Sequence, residues 1–314
     1  MHVIFGTGPL GRAVAAALKA RGTKVRLINR SGRAPAYLDG FEVVSGDLTD
    51  TASARHAAQG ATVVYHCAGA PYTKWSEVMP AMMAGAIDAA ASAGARLVFG
   101  DNLYAYTPTT EPLTEETPEH PKTEKGRVRK EIADTLRAAH AKGRVEATIG
   151  RASDFYGPYV ETSAVGDEVF GRLANRKPPR VLGDPDQPHS FTFIEDFGRA
   201  LVVLAEHDES FGQTWHVPNA LPVSTREFAA RAAEAMGHTA KVKTTPSWLL
   251  HAFGFFNPMM KEVAEMLYQW EKPFVVDHTK FKRAFGDAFS AVTALSEGIC
   301  KTAEAFKTDS RPAA

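Results

Sequence analysis

Short apolar runs alternate along the chain with longer segments whose apolar residues recur at helical spacing. Val3, Ile4 and Phe5 form the first run, and residues 10–21 follow as an alanine-rich amphipathic segment. Five later runs have the length and β-branched content of buried strands: residues 24–29, 41–45, 61–66, 95–99 and 145–151. Three further segments show helical spacing: residues 52–59, 77–93 and 127–142. This alternation predicts an α/β fold, a doubly wound parallel sheet with helices on both faces.

The alternation weakens after the sixth strand, where helices, short strands and proline-rich turns are mixed. An earlier proline-rich, acidic stretch at residues 107–124 has no apolar period and is predicted to be a loop. We therefore predict a sheet domain over residues 1–152, to which residues 190–217 return. Residues 153–189 and 218–314 would then form a smaller, mixed α/β C-terminal lobe that holds the substrate.

The charge balance and the cysteine count exclude several classes of protein. The 314 residues carry 36 Lys and Arg against 36 Asp and Glu, so neither nucleic acid nor an acidic membrane surface is expected as a main partner. Cys67 and Cys300 are far apart and form no metal-ligand spacing, which favours reduced thiols in a cytoplasmic protein. No secretory signal, membrane span or metal site is predicted.

The first strand leads directly into a glycine-rich turn, Gly6-Thr-Gly8-Pro9-Leu10-Gly11, which fits Gly-x-Gly-x-x-Gly. In a strand-turn-helix setting, the first glycine allows a tight turn, the second lets a pyrophosphate approach the backbone, and the third lets helix and strand pack closely. The pattern predicts a Rossmann-type dinucleotide site built from Gly6, Gly8, Pro9, Leu10 and Gly11. The alternative is a glycine-rich turn that binds nothing.

The end of the second strand indicates which dinucleotide binds. An acidic residue there would bind the ribose 2′-hydroxyl of NAD, whereas this chain has Asn29, Arg30 and Ser31, which favours the 2′-phosphate of NADP over NAD. Arg30 is otherwise a solvated loop residue. Asp47 and Leu48 follow the third strand, where the adenine is expected. Asp47 either accepts from the adenine amino group or helps to cap the next helix.

Several motifs resemble the extended short-chain dehydrogenase/reductase family, the group with the NAD-dependent sugar epimerases and dehydratases. They are His-Cys-Ala-Gly at residues 66–69, Arg-x-x-x-x-Tyr-Gly-Pro at residues 151–158 and the Phe-x-x-Ile-x-Asp pattern at residues 191–196. The resemblance covers most of the chain. It implies that Cys67 and Ala68, in the turn after the fourth strand, lie along the cofactor.

The resemblance fails at the catalytic centre. Family enzymes carry Tyr-x-x-x-Lys, and aligning the family Lys with Lys130 places Gly126 at the Tyr position. A shift by one residue places Lys125 and Arg129 at the two positions instead. The Tyr is missing in either register, and Asn102 stands where the family has an orienting Ser. The chain is therefore an atypical member of the group.

Three residues are predicted to form the altered catalytic centre. Lys130 would hold the nicotinamide ribose, Asn102 would donate through its amide, and Tyr104 would give a proton to the substrate oxygen. The alternative for Tyr104 is a structural tyrosine packed under the loop. The alternative for Lys130 is a solvated helix residue paired with Asp134, four positions later.

Four residues are predicted to contact the substrate, all in loops expected near the nicotinamide. Tyr72 and Trp75 follow the fourth strand and would form a substrate wall, with Tyr72 as a second possible acid. Asp154 would act as a base. His189 matches a substrate-binding position of the family, or is a turn residue after Pro188.

These observations favour an NADP-dependent reductase or dehydrogenase acting on a small carbonyl or alcohol. One alternative is a sugar epimerase or dehydratase, in which the hydride returns to the same substrate from a retained cofactor. The other is a non-catalytic NADP(H) sensor, which the missing Tyr favours. The resemblance also implies a homodimer formed through the helices at residues 77–93 and 127–142.

Overall fold

A computed structural model of the chain describes residues 1–239, 241–247, 250, 257–289 and 291–308. The strands are β1 (His2–Phe5), β2 (Val25–Asn29), β3 (Glu42–Ser45), β4 (Val63–His66), β5 (Arg96–Asn102), β6 (Ala147–Ala152), β7 (Asp154–Tyr156), β8 (Arg180–Leu182), β9 (Pro188–His189), β10 (Phe191–Phe193), β11 (Thr214–His216), β12 (Val223–Ser224) and β13 (Lys243–Thr245).

The helices begin and end within a few residues of the predicted ones in the first half of the chain. They are α1 (Pro9–Ala20), α2 (Thr51–Ala57), α3 (Trp75–Ala93), α4 (Glu124–Ala141), α5 (Arg172–Ala174), α6 (Ile194–Glu206), α7 (Thr225–Ala235), α8 (Pro258–Glu265), α9 (Tyr268–Glu271), α10 (Thr279–Phe285) and α11 (Leu295–Thr308). A 3-10 turn at Tyr72–Lys74 leads into α3.

The predicted doubly wound sheet is confirmed. Within the described residues, seven strands form one sheet in the order β11-β6-β5-β4-β1-β2-β3, and each neighbouring pair is parallel. Phe5 of β1 lies level with Ile28 of β2 on one side and His66 of β4 on the other. The strand order reverses between β1 and β4, and ligands of such sheets bind outside the carboxyl ends of the strands at this point.

Alternate residues of each strand feed two cores on opposite faces of the sheet. Val64 packs with α2, α3 and α4 on one face, whereas Val63 and Tyr65 pack with α1 and α6 on the other. This alternation is the side-chain period of a β-strand, applied to a sheet that is covered on both sides. Hydrophobic burial on both faces therefore holds the carboxyl ends of β1, β4 and β5 level with one another.

A smaller third core lies beyond the sheet and packs Phe170, Phe191 and Phe228 with residues of α7, α9 and α11. Three short strand pairs border it: β7 with β10, β9 with β12, and β8 with β13. The chain returns to the main sheet as β11, beside β6. Residues of α10, assigned by sequence to the lobe, pack instead on the sheet through Phe281 and Phe285.

No helix among the described residues has the length and apolar character needed to cross a membrane.

Candidate functional site

The glycine turn between β1 and α1 has a backbone that side chains would disrupt. Gly6 has φ +115°, and a Cβ atom there would lie 2.8 Å from the backbone nitrogen of Ala68. A Cβ on Gly11 would lie 1.9 Å from the Gly6 carbonyl oxygen. A Cβ on Gly8, in contrast, would meet no atom within 4 Å. Gly6 and Gly11 are thus required by the protein itself, whereas Gly8 leaves space in front of the turn.

The N-terminus of α1 faces that space without a side-chain cap. Gly8 is the N-cap residue and Pro9 occupies the first helical turn, where the missing N–H of proline is no loss. The remaining free N–H groups and the helix dipole favour a bound anion. Leu10 is partly buried; its side chain packs against the core and lies next to Gly100. The turn therefore offers backbone, rather than side chains, to a ligand.

Cys67 and Ala68 lie directly over the glycine turn, since the Cys67 N–H donates to the Phe5 carbonyl at 2.9 Å. The preceding residue, His66, is fully buried, and neither of its ring nitrogens has a hydrogen-bond partner. Burial and the charge of Arg129 lower the pKa of His66 to about 3, so the imidazole is neutral at pH 7. The turn after β4 thus borders the predicted dinucleotide path, as the sequence implies for Cys67 and Ala68.

The loop after β2 is held by the side chain of Asn29. Its Nδ2 donates to Thr7 Oγ1 at 3.1 Å and to the Arg33 carbonyl at 2.9 Å, and its Oδ1 accepts from Ser31 Oγ at 3.1 Å. Asn29 therefore joins this loop to the glycine turn. Arg30 is exposed at the tip of the loop. Asn29 and Ser31 shape the loop, and Arg30 is the residue whose side chain stays available to a ligand.

Asp47 and Leu48 have structural tasks. Asp47 accepts hydrogen bonds from the N–H and the hydroxyl of Thr49, at 2.8 and 2.7 Å. These bonds, and the charge of the nearby Arg30, lower the pKa of Asp47. The cap of α2 is Asp50, whose carboxylate accepts from Ala52 N and Ser53 N. Leu48 is 4% exposed and belongs to the core. Of the two, only the half-buried Asp47 has a polar group near the surface.

The register of α4 decides which residues occupy the Tyr-x-x-x-Lys positions. A Cβ on Gly126 would lie 2.5 Å from the Tyr104 carbonyl oxygen, so no side chain fits there. Lys125 and Arg129 instead point toward the aromatic residues after β4: Lys125 Nζ lies 5.4 Å from the Tyr72 ring centre, and the Arg129 guanidinium 4.3 Å from that of Trp75. The structure favours the register with Lys125 and Arg129.

Lys130 lies on the neighbouring face of α4, which corrects its assignment to the catalytic centre. Its Nζ contacts Asp134 Oδ2 at 2.5 Å, and both residues line an open surface groove with Arg127 and Glu131. The next position along the helix is turned by about 100°, so Lys130 and Arg129 cannot share one face. The alternative of a solvated lysine paired with Asp134 is the one that the structure shows.

Two tyrosines form a hydroxyl pair beside this face of α4. The Tyr72 and Tyr104 hydroxyl oxygens are 2.9 Å apart, and Trp75 stacks against Tyr104 with ring centres 6.1 Å apart. Burial, together with the charges of Tyr72 and Asp154, raises the pKa of Tyr104 well above its ordinary value. Burial raises the pKa of Tyr72 as well. Both phenols are therefore protonated at pH 7 and can donate hydrogen bonds.

Asn102 and Trp75 support this pair from behind. Asn102, the last residue of β5, accepts the Tyr104 N–H through Oδ1 at 3.1 Å, which sets the direction of the chain after the strand. Trp75 begins α3, is 5% exposed and donates its ring N–H to the Ala70 carbonyl at 2.8 Å. Trp75 lies in the core, whereas Tyr72, the other residue of the predicted substrate wall, is partly exposed.

Asp154 and His189 meet although they are 35 residues apart in sequence. His189 Nε2 and Asp154 Oδ2 are 2.9 Å apart. His189 stacks on Trp270 with ring centres 4.0 Å apart, and its side chain is only 2% exposed. Burial raises the pKa of Tyr104, Tyr72 and Tyr268, and the charge of Asp154 contributes to the rise in each. His189 is thus a buried support for Asp154, not a turn residue.

Sequence reasoning missed the part that α8 plays. Glu262 and Glu265, three positions apart on α8, both bond to Lys125 Nζ, the latter at 2.7 Å. Glu265 also accepts from the Glu124 N–H at the start of α4. These partners are more than 130 residues apart along the chain, and no spacing pattern in the sequence marks such a contact. The i, i+3 spacing of the two glutamates was the only local signal.

No group of three or more His, Cys, Asp or Glu side chains in the described part of the chain is arranged to hold a metal ion. Both cysteines are free thiols.

Comparisons with known proteins agree with this architecture. The sequence model of the NAD-dependent epimerase/dehydratase family matches residues 3–217. Over 156 residues the chain is 28% identical to 2'-dehydrokanamycin reductase of Streptomyces kanamyceticus; this match covers 48% of the chain and 44% of that relative, less than half of its length.

Two solved structures share the fold over nearly their whole length. UDP-glucuronic acid 4-epimerase from Bacillus cereus, solved with NAD, has a TM-score of 0.78 and 17% identity, covering 98% of this chain and 97% of its own. The dTDP-glucose 4,6-dehydratase DesIV from Streptomyces venezuelae, also with NAD, has a TM-score of 0.79 and 16% identity, covering 98% of each chain. At such identities the likeness demonstrates the fold alone.

Proposed function

Because the chain belongs to the NAD-dependent epimerase/dehydratase family, we propose that it binds a nicotinamide dinucleotide, with NADP preferred, and reduces a small carbonyl substrate or oxidises the alcohol. The observation that carries the proposal is the geometry around Gly8. The backbone there is open and uncapped, and it lies between two positions, Gly6 and Gly11, at which the fold itself requires glycine. Space in front of a free helix N-terminus suits a diphosphate.

The cofactor site is tested by placing a methyl group in this space with Gly8→Ala. Gly8 has φ −73°, which alanine adopts without strain. We expect the free energy of unfolding to change by less than about 1 kcal/mol and the affinity for NADPH to fall by about tenfold or more. Calorimetry and urea unfolding measure the two effects.

Gly11→Ala is the matched control, because its Cβ would collide with the Gly6 carbonyl. It should lower both stability and NADPH affinity. Full NADPH affinity in the Gly8→Ala protein would contradict the placement of the diphosphate.

The preference for NADP is carried by Arg30, the exposed residue beyond β2. A guanidinium bound to the 2′-phosphate makes charge-assisted hydrogen bonds of about 1.5–3 kcal/mol, which corresponds to roughly a 10- to 100-fold loss on removal. We therefore expect Arg30→Ala to raise the Kd for NADPH by this factor while the Kd for NADH stays within about twofold. Calorimetric titration with each cofactor measures the ratio.

Lys24→Ala provides the control for that experiment, since Lys24 is an exposed cation next to the opposite end of β2. The Kd for both cofactors should be unchanged in this variant. An equal loss of NADH and NADPH affinity in Arg30→Ala would show that Arg30 acts on the loop and does not select the phosphate.

The reaction needs a proton at the substrate oxygen, and we assign its donation to Tyr104. Bound NADPH would supply the hydride that the carbonyl carbon accepts. Tyr104 would donate its hydroxyl proton to the oxygen. The hydroxyl of Tyr72, 2.9 Å away, would return a proton to Tyr104, and the partly exposed Tyr72 would take one from solvent. The two phenols take over the task that family enzymes assign to the Tyr of α4, where this chain has Lys125 or Gly126.

Reductase activity is tested by NADPH oxidation with a panel of small aldehydes and ketones, followed at the NADPH absorbance. We expect turnover with at least one member and a kcat in the ordinary enzyme range of about 1–1,000 per second. The similarity to 2'-dehydrokanamycin reductase supports including aminoglycoside ketones in the panel. Tight NADPH binding without turnover of any member would instead identify a dinucleotide-binding sensor.

We also propose that the protein acts in the cytoplasm as a homodimer. Helices α3 and α4 pack side by side on one face of the sheet, and such a pair can present one surface to a second copy. Light scattering of the purified protein tests the pairing; a monomer at all concentrations would refute it.

A further inference from the structure

The carboxylate of Asp154 is held in place but not neutralised by a permanent cation. His189 fixes Oδ2 at 2.9 Å, and its ring is itself held in a stack of Trp270 and Phe274. Oδ1 accepts no hydrogen bond from any residue that the structure describes. The Asp154 side chain is 14% exposed, so this oxygen can meet a ligand. A rigid carboxylate with one free oxygen is suited to bind a donor.

A tyrosine leaves the sheet next to this carboxylate. Asn102 of β5 lies level with Ala152 of β6, so Tyr104 and Asp154, each two residues further along, follow neighbouring strands at one edge of the sheet. Burial raises the pKa of Tyr72, Tyr104 and Tyr268, and the charge of Asp154 adds to this effect. All three side chains are partly exposed. Aromatic faces beside a carboxylate attract a cation through the ring quadrupole and the full negative charge together. The surroundings of Asp154 therefore favour a positively charged ligand group.

Lys125 and Arg129, the two cations that contact the aromatic residues after β4, are already bound to protein carboxylates. Lys125 contacts both Glu262 and Glu265, and Arg129 contacts Asp101 at 3.3 Å. Asp154 and the two glutamates carry three negative charges against the single charge of Lys125, and Arg129 is paired with Asp101. A substrate diphosphate would find both of these cations already paired, whereas an ammonium group would gain from the charge of Asp154.

We propose that the substrate carries a protonated amine close to its reacting carbon and that Asp154 binds this amine. The proposal rests on the function proposed above, because it takes the cleft at Tyr72 and Tyr104 as the place of the reaction. It assigns the substrate to amino alcohols and amino carbonyl compounds and excludes nucleoside-diphosphate sugars. His189 is a positioning residue that fixes the direction of the carboxylate.

The test compares two stable probes on the protein saturated with NADP⁺: 1-amino-2-propanol and 1,2-propanediol, which differ only in the amine. Ligand-observed NMR titration gives a Kd for each. We expect the amine to bind about tenfold more tightly, the factor for one partly screened ion pair of about 1.4 kcal/mol. Equal affinities, or no binding of the amine, would overturn the proposal, and this comparison needs no variant.

Asp154→Asn keeps the size of the side chain and removes its charge, so the preference for the amine should disappear. Asp287→Asn, an exposed carboxylate in a turn after α10, is the matched control and should keep the preference. A persistent preference in Asp154→Asn would assign the amine to another group. Competition with UDP adds a further arm: displacement of the amine by equimolar UDP would show that the cleft accepts a diphosphate.

The outcomes separate this inference from the proposed reaction. An amine preference in a protein that binds NADPH but reduces nothing would refute the reductase and leave the amine site standing. Turnover of neutral carbonyls with no amine preference would support the reductase and refute the amine site.

Discussion

Replacing Tyr104 by phenylalanine is expected to lower kcat for carbonyl reduction by about 100- to 10,000-fold, the range measured for removal of a general acid. The substitution removes one oxygen from a side chain that packs against the sheet core and stacks on Trp75. Phenylalanine keeps the shape of the ring, so the Kd for NADPH should not change. Steady-state kinetics on the best substrate of the panel, with calorimetry for the cofactor, measures both.

Tyr72→Phe should produce a smaller loss, because Tyr104 keeps its own proton and loses only the partner that restores it. Tyr65→Phe is the matched control. Tyr65 is a fully buried tyrosine on the opposite face of the sheet, and its hydroxyl contacts His2 Nδ1 at 3.2 Å. If Tyr104→Phe kept full activity, or lost it only together with NADPH binding, Tyr104 would not be the proton donor.

Arg151→Met is expected to destabilise the fold by about 3–5 kcal/mol, the range for removing one partner of a buried ion pair. The Arg151 side chain is 0% exposed, and it contacts Asp101 Oδ2 at 3.0 Å and Glu119 Oε1 at 2.6 Å. Its loss would leave Asp101, also fully buried, with the longer Arg129 contact alone. Urea unfolding followed by circular dichroism measures the free energy of unfolding.

Arg96→Met is the comparison for that measurement. Arg96 also contacts two carboxylates, Glu146 at 3.0 Å and Asp208 at 2.5 Å, but both carboxylates are exposed and Arg96 itself is 33% exposed. Exposed pairs contribute about 0–1 kcal/mol, so the change should be small. A loss of similar size in both variants would show that burial does not decide the strength of the Arg151 contacts.

The buried charges around Arg151 also bear on the site. Asp101 and Arg129 connect β5 to the face of α4 that contacts Trp75, and Glu119 connects the proline-rich loop to β6 through Arg151. The loop that the sequence predicts from its prolines is therefore held over the sheet by ion pairs. We expect Arg151→Met to impair turnover as well, through displacement of the tyrosines.

Local patterns in the sequence were sufficient for the sheet and the dinucleotide turn. The strands, α1 and the glycine positions depend on interactions within a few residues and on which side chains avoid water, and both can be seen in the order of residues. The β-turn-α unit at Gly6, Gly8 and Gly11 can also be predicted from sequence, because its backbone leaves no room for side chains at Gly6 and Gly11. The absence of a tyrosine from α4 is likewise visible without coordinates.

The composition of the candidate site depended on the tertiary structure. A turn of 100° along α4 separates Arg129 from Lys130, and only the contacts of Arg129 with Trp75 and of Lys130 with Asp134 show which of them faces the tyrosines. Asp154 meets His189, and Lys125 meets Glu262 and Glu265, across long stretches of chain. Such contacts result from how the sheet and lobe pack together, because burial brings distant segments together without leaving a periodic signal in either one.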